Sequence, residues 1–199
     1  MAKLIVSKER QCIKDILSIF GCVRESTLEK YVDMINNTKF TSQYLINDVV
    51  TSTPMKRYSV MHTRFVKSSP IADTDYAAAD AFEAYVTILR ENPEQCNKES
   101  EVRVSKGRYP YNYVATFNNK TNLLMVFDRS GDRRLAHHNR SMQSESEDPN
   151  EVVVLVVPSG YKLEDLEGIT LKGNYRIAMI RNNGPQNLIC VISETVNGG

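Results

Sequence analysis

Cysteine is sparse in this chain, and the four that occur, Cys12, Cys22, Cys96 and Cys190, form no Cys-x-x-Cys pair. That scatter argues against a structural zinc site or a disulfide framework and predicts free thiols in a reducing compartment. Long apolar runs are absent; none approaches the ~20 residues that a membrane helix needs. The opening Met-Ala-Lys-Leu-Ile-Val turns polar too soon for a signal peptide, so a cytoplasmic protein without a membrane partner is expected. There is no glycine-rich phosphate loop, no Gly-x-Ser-x-Gly elbow and no His-Glu-x-x-His pair. Nothing in the sequence calls for a cofactor or a bound metal. Neither sign of charge dominates, with 25 Lys and Arg against 24 Asp and Glu and a formal net charge of +1. No internal repeat is visible, and 199 residues fit one large domain or two small ones.

What is present begins with apolar periodicity. Ile13, Ile16, Leu17 and Phe20 recur at i, i+3, i+4 and i+7, predicting a helix over Ser7 to Phe20 that Gly21 ends. Ser26-Thr27-Leu28-Glu29 has the form of a capping box, followed by the stripe Leu28, Tyr31, Val32 and Ile35. Asn36-Asn37-Thr38 then favours a turn. A third helix is expected from about Thr41 to Val50, with Thr38 or Thr41 as cap. Leu45, Ile46, Val49 and Val50 would face inward; Thr41, Gln43, Tyr44 and Asn47 would face out. The outward set consists of medium-length hydrogen-bonding side chains suited to base edges and phosphates. Gln43 and Asn47 could each contact adenine bidentately. Two helices joined by a short turn make the third the recognition element of a helix-turn-helix. Leu4-Ile5-Val6 offers one strand to close such a core.

A basic stretch follows. Pro54 to Pro70 holds Lys56, Arg57, His62, Arg64 and Lys67 and no acid, interleaved with Tyr58, Val60, Phe65 and Val66. A basic β-hairpin after a recognition helix is a wing, and its cations would neutralise backbone phosphates. The plainer alternative is a solvated surface hairpin.

After a linker at Ser68 to Thr74, a helix is expected over Asp75 to Asn92, burying Ala78, Phe82, Tyr85 and Leu89 and stopped by Pro93. Strands are expected at Glu101 to Ser105, Tyr113 to Phe117, Leu123 to Phe127, Glu151 to Val157, Tyr175 to Ile180 and Leu188 to Ile192. The apolar run after Glu151 suits a strand covered on both faces. Asp128 to Asn150 reads mostly as a mobile loop, with helical potential near Arg133 to His137. Its adjacent His137 and His138 are poorly placed to share one metal ion. Asp128 and Asp132 sit beside arginines that would compensate them. Tyr109, Tyr111 and Tyr113 alternate, which on a strand would give one face able to stack on bases or to pack.

The order of helix, strand, hairpin and further strand resembles the core of PD-(D/E)XK nuclease-like domains. Behind a winged helix, it is similar to the replication-relaxation proteins of bacterial plasmids and mobile elements. Arg108-Tyr109-Pro110-Tyr111 looks like that family's Pro-Asp turn, and Leu124 to Arg129 looks like its strand ending in Glu-x-Asp-Arg. Tyr111 and Val126 stand where the resemblance would place the two metal-binding carboxylates, and Asp128 with Glu83 cannot make the usual site alone. The resemblance therefore implies a nuclease-like domain that does not cut.

Together these readings predict an α+β protein, an N-terminal winged helix-turn-helix over residues 1–69 followed by an α/β restriction-endonuclease-like domain over 70–199. The expected function is double-stranded DNA binding by Thr41, Gln43, Tyr44, Asn47, Lys56, Arg57, His62, Arg64 and Lys67. The role would be that of a regulator or accessory replication or mobilisation factor of a mobile element, rather than an enzyme. A homodimer is left open. The alternatives are a metal-dependent nuclease with relocated acids and a protein-interaction module on a winged-helix scaffold.

Overall fold

The computed structural model describes residues 8–93, 103–117, 119–128, 132–141, 148–182, 188–193 and 196–198. Helix α1 is Lys8–Phe20, and its apolar stripe is buried as the spacing predicts. It ends at Gly21, whose φ of 76° is in the left-handed region and whose N–H donates to the Leu17 carbonyl at 2.9 Å. Strand β1, Cys22–Arg24, leads directly into α2, Glu25–Ile35.

The expected capping box at Ser26 does not form. Arg24 occupies the cap position without a side-chain cap bond, because the strand runs straight into the helix and places Ser26 inside its first turn. Asn36 makes the following turn. Its Oδ1 accepts from Thr38 N–H at 2.9 Å, and its Nδ2 donates to the Phe40 carbonyl at 2.8 Å. Helix α3 is Ser42–Ser52, capped by Thr41, whose hydroxyl accepts from Tyr44 N–H. Strands β2, Lys56–Val60, and β3, Thr63–Lys67, form a hairpin closed by Met61 and His62 at φ 46° and 67°. Two left-handed residues are what a two-residue hairpin turn of type I′ requires. The sheet order is β1-β3-β2, all antiparallel. The strand that closes the three helices is thus Cys22–Arg24; the one expected at Leu4 to Val6 lies outside the described residues.

Helix α4, Asp73–Glu91, starts two residues earlier than expected, with Asp75 accepting from Ala72 N–H at its first turn. A seven-stranded sheet follows: β4 (Val104–Lys106), β5 (Tyr113–Phe117), β6 (Lys120–Val126), β7 (Glu151–Val157), β8 (Gly173–Asn182), β9 (Leu188–Ile192) and β10 (Val196–Gly198). Its order is β10-β8-β7-β6-β5-β4, with β9 also along β8. β4, β5 and β6 are an antiparallel meander, whereas β6, β7 and β8 run parallel. The parallel step from β6 to β7 is bridged by α5, Asp132–Ser141. A helix therefore stands where the sequence reading had mostly loop.

Alternation decides which helix each strand residue meets. Leu124, Val126, Val154, Val156, Ala178 and Ile180 pack with Phe82, Tyr85 and Ile88 of α4. Leu123, Met125, Leu155 and Val157 pack with Leu135 of α5 and with Leu171. Both faces of β7 are covered, which explains its unbroken apolar run.

The architecture is mixed α+β. One apolar cluster runs from α1, α2 and α3 through α4 to the large sheet, crossing residue 70. Phe20 is its hinge point, with ring centroids 5.0 Å from Phe82 and 4.4 Å from Tyr113. No helix among the described residues is long and apolar enough to cross a membrane.

Candidate nucleic-acid interface

Helix α3 presents the face that its sequence pattern predicts. Leu45, Ile46 and Val49 are buried, while Thr41, Gln43, Tyr44 and Asn47 are exposed. Thr41 has a second duty as the cap, so its hydroxyl is partly committed. Ser42 donates to Asp33 of α2, and Arg10 of α1 holds Asp48 at 3.0 Å. These bonds set the helix's roll about its axis.

Phe40 was not among the expected site residues. It stacks on Tyr44 with centroids 4.8 Å apart and planes 17° apart, yet the two remain 43% and 47% exposed. Phe40 precedes the extended cap residue Thr41, so helical spacing does not relate it to Tyr44 and the sequence carries no signal of the stack.

The hairpin cations divide into two groups. Lys56 and His62 are exposed, and the Arg64 side chain is 63% exposed, with Nη1 3.9 Å from the Glu25 carboxylate. Arg57 is committed: Nε donates to Glu25 Oε1 at 2.6 Å, and Nη2 donates to Asn47 Oδ1. Lys67 is committed further. Its ammonium pairs with Asp75 at 2.5 Å and donates to the Pro70 carbonyl, with only 14% of the side chain exposed. Lys67 therefore ties β3 to the first turn of α4 and does not point a free charge at a ligand. The acids that pair with Arg57 and Lys67, Glu25 and Asp75, lie outside the hairpin in sequence, so its own composition does not show them.

Asn47 is constrained in the same way. A guanidinium can only donate, so the Asn47 amide turns its oxygen to Arg57 and keeps its Nδ2 hydrogens for other partners. That geometry suits donation rather than the bidentate adenine contact expected from its residue type.

A notch of about 250 Å³ separates α2, α3 and β3, lined by Glu25, Ser26, Glu29, Gln43, Thr63 and Arg64. Burial pushes the Glu29 carboxyl above its usual range. Glu25 and Asp33 add to that effect, and Arg57 and Arg64 oppose it. The face thus mixes carboxylates with cations.

In the second half, the acids singled out from sequence are separated. Glu83 is buried and accepts from Thr27 and from Lys30 Nζ at 2.9 Å. Its neighbour Asp80 is buried against Arg24 and accepts from Arg24 Nη2; desolvation nevertheless raises its carboxyl above the usual range, with Arg24 opposing. Asp128 is exposed. A cleft of about 680 Å³ opens between α4, α5 and the ends of β6 and β7, lined in part by Asp80, Asn112, Asp128, Arg133 and Arg134. Asn112 organises its floor, accepting from Val126 N–H at 2.9 Å and from Arg134 at 2.7 Å. Among the described residues, no group of three or more His, Cys, Asp or Glu side chains could hold a metal ion.

The tyrosines do not form one row. Tyr113 is buried in β5, Tyr109 lies 5.0 Å from the His137 ring, and the Tyr111 hydroxyl is 2.8 Å from His138 Nδ1. His138 Nε2 donates to the Lys172 carbonyl at 2.9 Å. The two histidines thus fasten α5 to its neighbours.

No protein-family model matches this chain, and no curated protein resembles it significantly.

Proposed function

We propose that the protein binds double-stranded DNA through α3 and the β2–β3 hairpin, acting as a winged helix-turn-helix. One observation carries this reading. The exposed row Gln43, Tyr44 and Asn47 lies beside a hairpin whose outward cations are Lys56 and Arg64, and Arg57 physically joins the two through Asn47. The order α1-β1-α2-α3-β2-β3, with β1 returning to pair with β3, supports it, since a wing follows the recognition helix in that order. Base edges would be read by α3, and phosphates would be held by Lys56, Arg64 and the His62 turn.

The second half is proposed to be a nuclease-like domain that does not cut. Its helix, antiparallel meander, helix and parallel strand support that likeness. Tyr111 and Val126 stand where metal-binding acids would be needed. A nuclease with relocated acids would require Asp80 and Glu83 to leave Arg24, Lys30 and Thr27. The biological role proposed, a regulator or accessory replication or mobilisation factor of a mobile element, rests on the resemblance to replication-relaxation proteins.

A second reading, a protein-interaction module, is favoured by the exposed Phe40–Tyr44 stack and by Glu25 and Glu29 on the same face. Selection of bound fragments from random duplex DNA separates the two. Enrichment of a common sequence supports the first, and recovery of unselected DNA at background level supports the second.

A further inference from the structure

Helix α3, Ser42–Ser52, carries no Lys or Arg, so it lacks the side chains that usually read guanine. Its only acid, Asp48, is held by Arg10 and is not free to accept from cytosine. Asn47 has its oxygen on Arg57, which leaves a donor. Beside Asn47 and the Gln43 amide, the face offers an apolar surface: the stacked rings of Phe40 and Tyr44, roughly half exposed at the helix's N-terminal end, with Lys39 exposed next to them. The N-terminal residues of a recognition helix are those that reach base edges.

A donor beside an apolar surface is the complement of one base edge. Thymine presents an O4 acceptor and a C5-methyl group side by side in the major groove. We infer that the Phe40–Tyr44 stack covers thymine methyl groups while Asn47 donates to thymine O4, so that α3 selects T-containing steps. This rests on the DNA-binding reading. It makes Phe40 a specificity-determining residue and gives Glu25 an indirect part, because Glu25 holds Arg57 and Arg57 turns the Asn47 amide. Gln43, exposed and next to Tyr44, remains able to read adenine on its own.

The test uses the full chain and two probes, poly(dA-dT) and poly(dA-dU), which differ only by the thymine methyl and keep O4 and the pairing. The wild type should bind the thymine polymer more tightly, by about fourfold for each methyl buried. Phe40→Ala should bring the two affinities together, erasing the thymine preference whatever it costs in binding to both polymers, while the hairpin keeps both salt-dependent. Tyr44→Ala should do the same, so the test survives if one variant folds poorly. Equal wild-type affinity for both polymers, or a preference that persists in both variants, overturns the inference and leaves DNA binding standing. Absence of measurable binding to either polymer at low salt overturns both.

Discussion

Arg24 shows how much of this molecule is decided by single charged groups. It is the last residue of β1 and almost wholly buried, and its partner Asp80 lies on α4. Its other terminal nitrogen, Nη1, is buried without a hydrogen-bond partner among the described residues. Removing one member of such a pair strands the other in a medium that solvates it poorly, at a cost of about 3–5 kcal/mol. Asp80→Ala should lose that much in urea denaturation, and Arg24→Met with Asp80→Leu should recover most of it. The cysteine in the same strand makes a second residue-scale prediction. Burial raises the Cys22 thiol from 9.0 to about 11, with Asp75 adding to it. The folded state then keeps a proton that the unfolded state has lost, so the contribution is whole below pH 9 and drains away as pH rises towards 11. Cys12 is shifted in the same direction. Stability should therefore fall along the alkaline limb, and Cys22→Ala, compared with its own neutral value, should fall less. An unchanged limb in that variant would contradict the assignment.

At the scale of elements, the hairpin is the instructive case. Its sequence holds four Lys and Arg and no acid, and from that pattern it reads as a free basic wing. The fold brings Glu25 to Arg57 and Asp75 to Lys67 from outside the hairpin, and half of the cations become internal. Lys67→Ala should accordingly act as a packing change, lowering stability by about 1.5–3 kcal/mol while leaving the salt dependence of DNA binding as it was; a reduced salt slope would show that Lys67 meets phosphate. Helices α1, α3 and α4 were legible because each buries an apolar set at regular spacing, and β7 because its unbroken apolar run is covered on both faces. Two elements were not. β1 has three residues and no room for a period, and α5 is a polar helix that buries little besides Leu135 and His138. Among site residues, the exposed face of α3 was legible from the same periodicity. The Arg57–Asn47 bond was not, since it joins residues on different elements whose proximity only the folded chain creates.

For the whole molecule, the continuous core is the governing fact. Phe20 from the first helix meets Phe82 and Tyr113, and Tyr31 lies 5.9 Å from Phe82. Arg24–Asp80 and Lys30–Glu83 bridge the same boundary. Residues before and after 70 should therefore unfold together, with far-ultraviolet circular dichroism and tyrosine fluorescence giving coincident urea transitions. Two separated transitions would show that the α1–β3 portion melts by itself. A shared core also means that the proposed DNA-binding face is held rigidly on the larger sheet. The central claim, that this face binds duplex DNA with Lys56 and Arg64 on its phosphates, is tested most directly by titrating a duplex across a range of salt. Wild-type affinity should fall linearly in log–log form, and Lys56→Ala with Arg64→Ala should weaken binding to every sequence and reduce the slope by roughly 2. An affinity and slope unchanged by that pair of substitutions, or no salt-dependent binding at all, would contradict it.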